Sequence, residues 1–170
     1  LMVDEKEADV LVNGGSTDYE LGKYGRSFEP VKADRLLHNN DTINLGDMQL
    51  AMLHHPGHTK GSCSFIFNVK DEQKSYRVLI ANMPTIVTDK KFTDIPAYSN
   101  IAEDYSYTLS SMKSLSFDLW VASHASQFNL HTKHQPGDAY NPAAFMGRED
   151  YDKALADLQK EYEKKVLIDK

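Results

Sequence analysis

Apolar and polar residues alternate through much of the first half of the chain, and short polar breaks separate the alternating runs. Runs at 31–37, 43–45, 48–54, 63–69 and 76–81 have the period of two that sends successive side chains to opposite faces of a sheet. Asn39-Asn40-Asp41, Gly46-Asp47 and Asp71-Glu72-Gln73 are turn-forming breaks between them, so the pattern predicts a β-meander. Ahead of it, Leu1 to Val12 reads as a strand end entering a short helix closed by Asn13-Gly14-Gly15.

The period changes in the second half. Asn100 stands where a side chain can cap a helix that carries Ile101, Tyr105, Leu109 and Met112 on one face. Leu119 to Ala122 reads as a short buried strand, and Arg148 to Val166 as a helix with Tyr151, Leu155, Leu158 and Tyr162 in one stripe. Pro84 to Asn100 shows no period and predicts a long loop. Gln127 to Asn141 predicts a second, polar loop without helix, which leaves His131 and His134 on the surface.

Strands followed by helices mixed with a strand predict an α/β chain, a single partial domain over 1–170 with a mostly antiparallel sheet and helices on one face. Such a layer pair leaves the other sheet face bare, and a large bare apolar face marks an interaction surface. The expected cover is a missing half of a larger fold or a second copy of this chain.

Length permits a sizeable core. The net charge of −6 and pI near 5.6 argue against a nucleic-acid partner, which would need clustered cations. No apolar run reaches the roughly 20 residues that span a bilayer, and Leu1 lies inside a strand-like stretch as in a chain cut from a longer one. The single cysteine, Cys63, excludes an internal disulfide. It alternates with Phe65, Phe67 and Val69, so it reads as a small apolar side chain and not as a thiolate nucleophile.

Chemistry concentrates at Leu53-His54-His55-Pro56-Gly57-His58-Thr59-Lys60-Gly61-Ser62-Cys63-Ser64. Pro56 and Gly57 break the strand, so His58 projects from a stiff corner. A rim histidine is a natural zinc ligand, and Thr59 and Ser62 stand where they could fix its second ring nitrogen. Read locally, ligand and turn-capping roles for His58 are equally open. His124 ends the strand at Leu119 to Ala122, and its plain alternative is a buried histidine bonded to a carbonyl. His54 and His55 are adjacent on a strand and point to opposite faces, so both read as structural.

The Pro56 to Ser62 block, with Val121-Ala122-Ser123-His124-Ala125-Ser126-Gln127-Phe128 downstream, resembles the metallo-β-lactamase superfamily, and within it the subclass B3 enzymes of the GOB type. The resemblance covers nearly all of this chain but only the second half of the family's αβ/βα sandwich. The upstream H-x-H-x-D-H motif, Q-x-H-x-D-H in the GOB type, is absent from these residues.

The resemblance implies up to two zinc ions, with His58 on one and His124 on the other, and hydrolysis of a β-lactam amide by zinc-bound hydroxide without a covalent intermediate. It also implies substrate contacts from Thr85 and the Pro84 to Asn100 loop, a periplasmic location and a role in antibiotic resistance. The fragment alone is expected to be inactive. Met83 stands where many relatives place a bridging aspartate, and a thioether suits zinc poorly beside imidazole and carboxylate. Two other readings remain open: a different hydrolase of this fold, acting on a thioester, lactone or phosphodiester, and a non-catalytic half-domain that pairs with a partner or itself.

Overall fold

The alternating runs form two sheets in the computed structural model, which describes residues 1–169. In the smaller sheet β1 (Met2–Asp4) pairs in parallel with β2 (Arg35–Leu37), with Asp4 opposite Leu37. The run at 31–37 is therefore not the first strand of the meander. Only its last three residues are extended, and the N–H groups of Asp34 and Arg35 both donate to the Leu1 carbonyl. That pairing joins residues more than thirty positions apart, which a local period cannot reveal.

The larger sheet has the order β3 (Thr42–Leu45), β4 (Met48–His54), β5 (Cys63–Lys70), β6 (Ser75–Ala81), β7 (Leu119–Ala122). Its first four strands are antiparallel, as the short polar breaks predict, whereas β7 runs parallel to β6. A parallel pair needs a crossover, and α2 (Ile101–Lys113) lies within the segment that provides it. Because β4 and β6 both oppose β5, and β7 follows β6, the C-terminal ends of β4, β6 and β7 share one end of the sheet.

One sheet face is covered. Leu79, Ala81 and Trp120 pack against Leu109 and Met112 of α2 and against Tyr151 and Leu155 of α4 (Glu149–Asp169). The Trp120 and Tyr151 rings meet edge to face at 5.2 Å, and Tyr151 donates its hydroxyl to the Met112 carbonyl at 3.0 Å. Such an aromatic pair adds about 1 kcal/mol beyond its burial. Register places Leu50, Phe65, Phe67, Val78, Ile80 and Val121 on the opposite face, where all six remain partly exposed. Near the β6–β7 edge this face forms an open groove of about 400 Å³ against Phe145.

Three further expectations need correction. Asn100 occupies the cap position of α2, but its side chain donates to the Asp104 carboxylate at 2.9 Å and accepts no helix N–H. The 127–141 stretch is not free of helix, since Leu130–Lys133 forms the single turn α3 and a 3-10 turn spans Ala125–Phe128. Four residues are too few to show a helical period. His131 and His134 are nonetheless exposed. Finally, the 84–100 loop is not wholly irregular: it holds 3-10 turns at Phe92–Asp94 and Pro96–Tyr98, and Phe92, Ile95 and Tyr98 are buried with Ile101 and Tyr105 in a second cluster. The remaining helix, α1 (Ala8–Val12), leads into the Asn13-Gly14-Gly15 turn.

Candidate metal centre

His58 belongs to the turn between β4 and β5, and backbone chemistry fixes that turn. Pro56 has no N–H to continue the ladder, and Gly57 sits at φ 126°, a conformation L residues rarely adopt. A Cβ on Gly57 would lie 2.9 Å from the Tyr105 ring, so glycine is needed for space as well as for dihedral angle. The Gly57 N–H donates to the Thr59 carbonyl at 3.0 Å, which tightens the corner.

The imidazole is oriented from the segment that follows β6. His58 Nδ1 lies 2.8 Å from the Thr85 carbonyl oxygen, which can only accept, so Nδ1 carries the proton and Nε2 presents its lone pair. Thr85 Oγ1 is 3.1 Å from the same nitrogen. Tyr105 donates its hydroxyl to the Thr85 carbonyl at 2.9 Å, and Tyr19 donates to the His58 carbonyl at 3.1 Å. Burial pushes the Tyr19 phenol up to about 12, which keeps it a donor at neutral pH. Thr59 and Ser62 do not fix the ring as expected. Their hydroxyls bond to each other, and Thr59 donates to Glu7.

His124 follows β7 and is held by its backbone. Its N–H donates to Gln127 Oε1 at 3.2 Å and its carbonyl accepts from the Gln127 N–H at 3.0 Å. Phe128 is buried against Trp120, which pins the turn to the core. The His124 residue is exposed. It is therefore not the buried, carbonyl-bonded histidine of the plain alternative.

Strand order brings these residues to one edge. From β4 to β7 there are three strand spacings, about 14 Å in all. The β4–β5 turn carries His58 across to the end of β6, where it meets Thr85, and β7 with His124 is the next strand. Neutral imidazoles with exposed lone pairs are good donors to zinc, so both residues fit a metal. Among the described residues no group of three or more His, Cys, Asp or Glu side chains could hold an ion. A metal ion held here would need further ligands from outside the described residues.

The other candidates have structural work. His54 Nδ1 donates to the buried Asp4 carboxylate at 2.8 Å. His55 lies on the opposite side, 2% exposed, with Ser64 Oγ 2.8 Å from Nδ1 and Ser111 Oγ 3.3 Å from Nε2. Burial lowers its imidazole to about 4. Burial pushes the Cys63 thiol up to about 11, so it is not a thiolate at neutral pH. Met83 is 3% exposed within the core beside Trp120 and Leu79, turned to packing and not to the site.

Sequence reading missed Glu7, Tyr105 and Gln127 as supports. No sequence signal names Glu7; the structure does, since Gly61 has no positive φ to require a glycine and a Cβ there would lie 2.5 Å from Glu7 Cβ.

No protein-family model matches the chain. The class B3 di-zinc metallo-β-lactamase LRA-12 from an Alaskan soil metagenome is 66% identical over 96% of this chain, with a TM-score of 0.95. The metallo-β-lactamase GOB-18 from Elizabethkingia meningoseptica is 56% identical over 99% of it, with a TM-score of 0.97. This chain spans 62% of the length of each. Acyl-coenzyme A thioesterase MBLAC2 from Gallus gallus is 34% identical over 74 residues, 44% of this chain and 24% of that protein. The chain belongs to the metallo-β-lactamase superfamily, among its class B3 members, and carries the C-terminal part of their fold.

Proposed function

We propose that this chain is the C-terminal part of a zinc-dependent β-lactamase, with His58 on one zinc ion and His124 on the other. The observation that carries this reading is the bond from His58 Nδ1 to the Thr85 carbonyl, which directs Nε2 outward at the sheet edge shared with His124. When bound, zinc lowers the pKa of water toward about 7 and polarises the lactam carbonyl. His58 holds its tautomer through the Thr85 carbonyl and His124 its position through backbone bonds to Gln127, so little reorganisation is required of either. Thr85 fixes His58 through its carbonyl, and in this reading its hydroxyl, 3.1 Å from the same ring nitrogen, contacts a substrate carboxylate.

The remaining ligands come from the part of the fold that this chain does not span, and that part covers the apolar face of Leu50, Phe65, Phe67, Val78, Ile80 and Val121. A periplasmic location and a part in antibiotic resistance follow from the same reading. No helix among the described residues is long and apolar enough to cross a membrane.

The superfamily likeness to a thioesterase supports a second hydrolase reading. The burial of Met83 counts against those versions of it that need a bridging carboxylate at this position. The test is parallel turnover of nitrocefin and of an acyl-coenzyme A thioester by the zinc-loaded full-length protein. Nitrocefin turnover that a chelator abolishes supports the lactamase reading, and thioester turnover alone overturns it.

A further inference from the structure

Glu7 lies in the short charged segment between β1 and α1, a place where an acidic side chain normally faces water. Instead its carboxylate turns under the β4–β5 turn. Oε2 accepts the Thr59 hydroxyl at 2.7 Å and the Gly61 N–H at 2.9 Å. The rest of the turn is arranged around these two bonds. Thr59 spends its only hydroxyl proton on Glu7, so the Ser62 hydroxyl donates to Thr59 Oγ1 at 3.0 Å while Ser62 Oγ accepts the Thr59 N–H, also at 3.0 Å.

Space tells the same story. A Cβ on Gly61 would lie 2.5 Å from Glu7 Cβ and 2.7 Å from its backbone nitrogen, so the turn has approached Glu7 as closely as a glycine permits. Thr59 and Gly61 thereby bind the turn to the N-terminal segment, and Ser62 braces Thr59. His58, directly before Thr59, is left to face the sheet edge.

We propose that Glu7 is a positioning residue for the metal centre, a carboxylate clamp on Thr59 and Gly61 that holds the turn presenting His58. It touches neither His58 nor any reacting atom; it acts by limiting where the turn can move. The inference rests on the reading of His58 as a ligand.

The test measures zinc affinity by competition with a chromophoric chelator, and amide exchange at Gly61, in the full-length protein. Glu7→Ala is expected to weaken zinc binding about 10-fold or more, the scale of loss when a ligand's support is removed, and to speed exchange at Gly61. Glu7→Gln keeps an oxygen that accepts both bonds, so it restores affinity to within about threefold and keeps Gly61 protected. Zinc affinity in Glu7→Ala within twofold of the wild type overturns the clamp. So does an equal loss in Glu7→Gln with Gly61 still protected, since charge and not the clamp is then responsible. If Glu7→Ala does not fold, Thr59→Val removes one of the two bonds, and unchanged affinity there overturns the proposal. His58→Ala separates the two readings: if it binds zinc like the wild type the ligand reading fails, and if it loses zinc while Glu7→Ala does not, only the clamp fails.

Discussion

His58 and Thr85 are joined by one hydrogen bond of 2.8 Å between residues 27 positions apart, and that bond decides which ring nitrogen is free. The acceptor is a backbone carbonyl, so side-chain substitution at position 85 leaves it in place. The carbonyl is itself held by the Tyr105 hydroxyl.

Tyr105→Phe tests that hold. The ring keeps its stack on Phe92 at 5.5 Å and its contact with Gly57, while the bond to Thr85 is lost. Stability should fall by about 1 kcal/mol. Urea unfolding measures this, and an unchanged midpoint contradicts the role given to the hydroxyl.

Gly57→Ala should cost more. The substitution forces φ 126° on an L residue and drives a Cβ against the Tyr105 ring. A loss of about 2 kcal/mol or more is expected from strain and displacement together. An alanine variant as stable as the wild type would show that the corner relaxes freely.

Stability should depend on pH through His55. Its folded-state value is depressed to about 4 from 6.5 by burial, with the His54 charge adding to the effect. The unfolded chain therefore binds a proton near pH 6.5 that the folded chain refuses until about pH 4. The contribution is intact above pH 6.5 and is lost as pH falls toward 4, by about 3 kcal/mol in all. His55→Asn should flatten the stability profile across this window. A variant with the wild-type slope between pH 6.5 and 4 contradicts the assignment.

Met83→Leu should leave zinc content unchanged, because the side chain fills the core beside Trp120. The volume-conserving swap should cost less than about 1.5 kcal/mol. Loss of one zinc ion by elemental analysis would place Met83 in the site.

The sheet was legible wherever neighbours in sequence are neighbours in space. Alternation from Thr42 to Ala81 carries the antiparallel strands, and the stripe Tyr151, Leu155, Leu158, Tyr162 carries α4. The pairing of Met2–Asp4 with Arg35–Leu37 was not legible, since nothing local to either segment names its partner. His58 and His124 became ligand candidates from the motifs around them; the supports of His58 lie elsewhere in the chain, whereas Gln127 stands inside the motif of His124. Glu7 sits in a Glu-Lys-Glu run that reads as solvated surface, and Tyr105 reads as one more apolar position on α2. Thr59 and Ser62 were assigned to the ring because they are close in sequence, whereas the ring's partner is across the sheet edge at Thr85.

The central claim is that His58 and His124 are zinc ligands of a β-lactamase, and nitrocefin turnover by the full-length protein with and without each imidazole tests it most directly. The account predicts that the wild-type protein turns over nitrocefin, that a chelator stops it and added zinc restores it, and that His58→Ala and His124→Ala each lose most of the activity while His131→Ala keeps it. Wild-type turnover retained in either His58→Ala or His124→Ala would contradict the account.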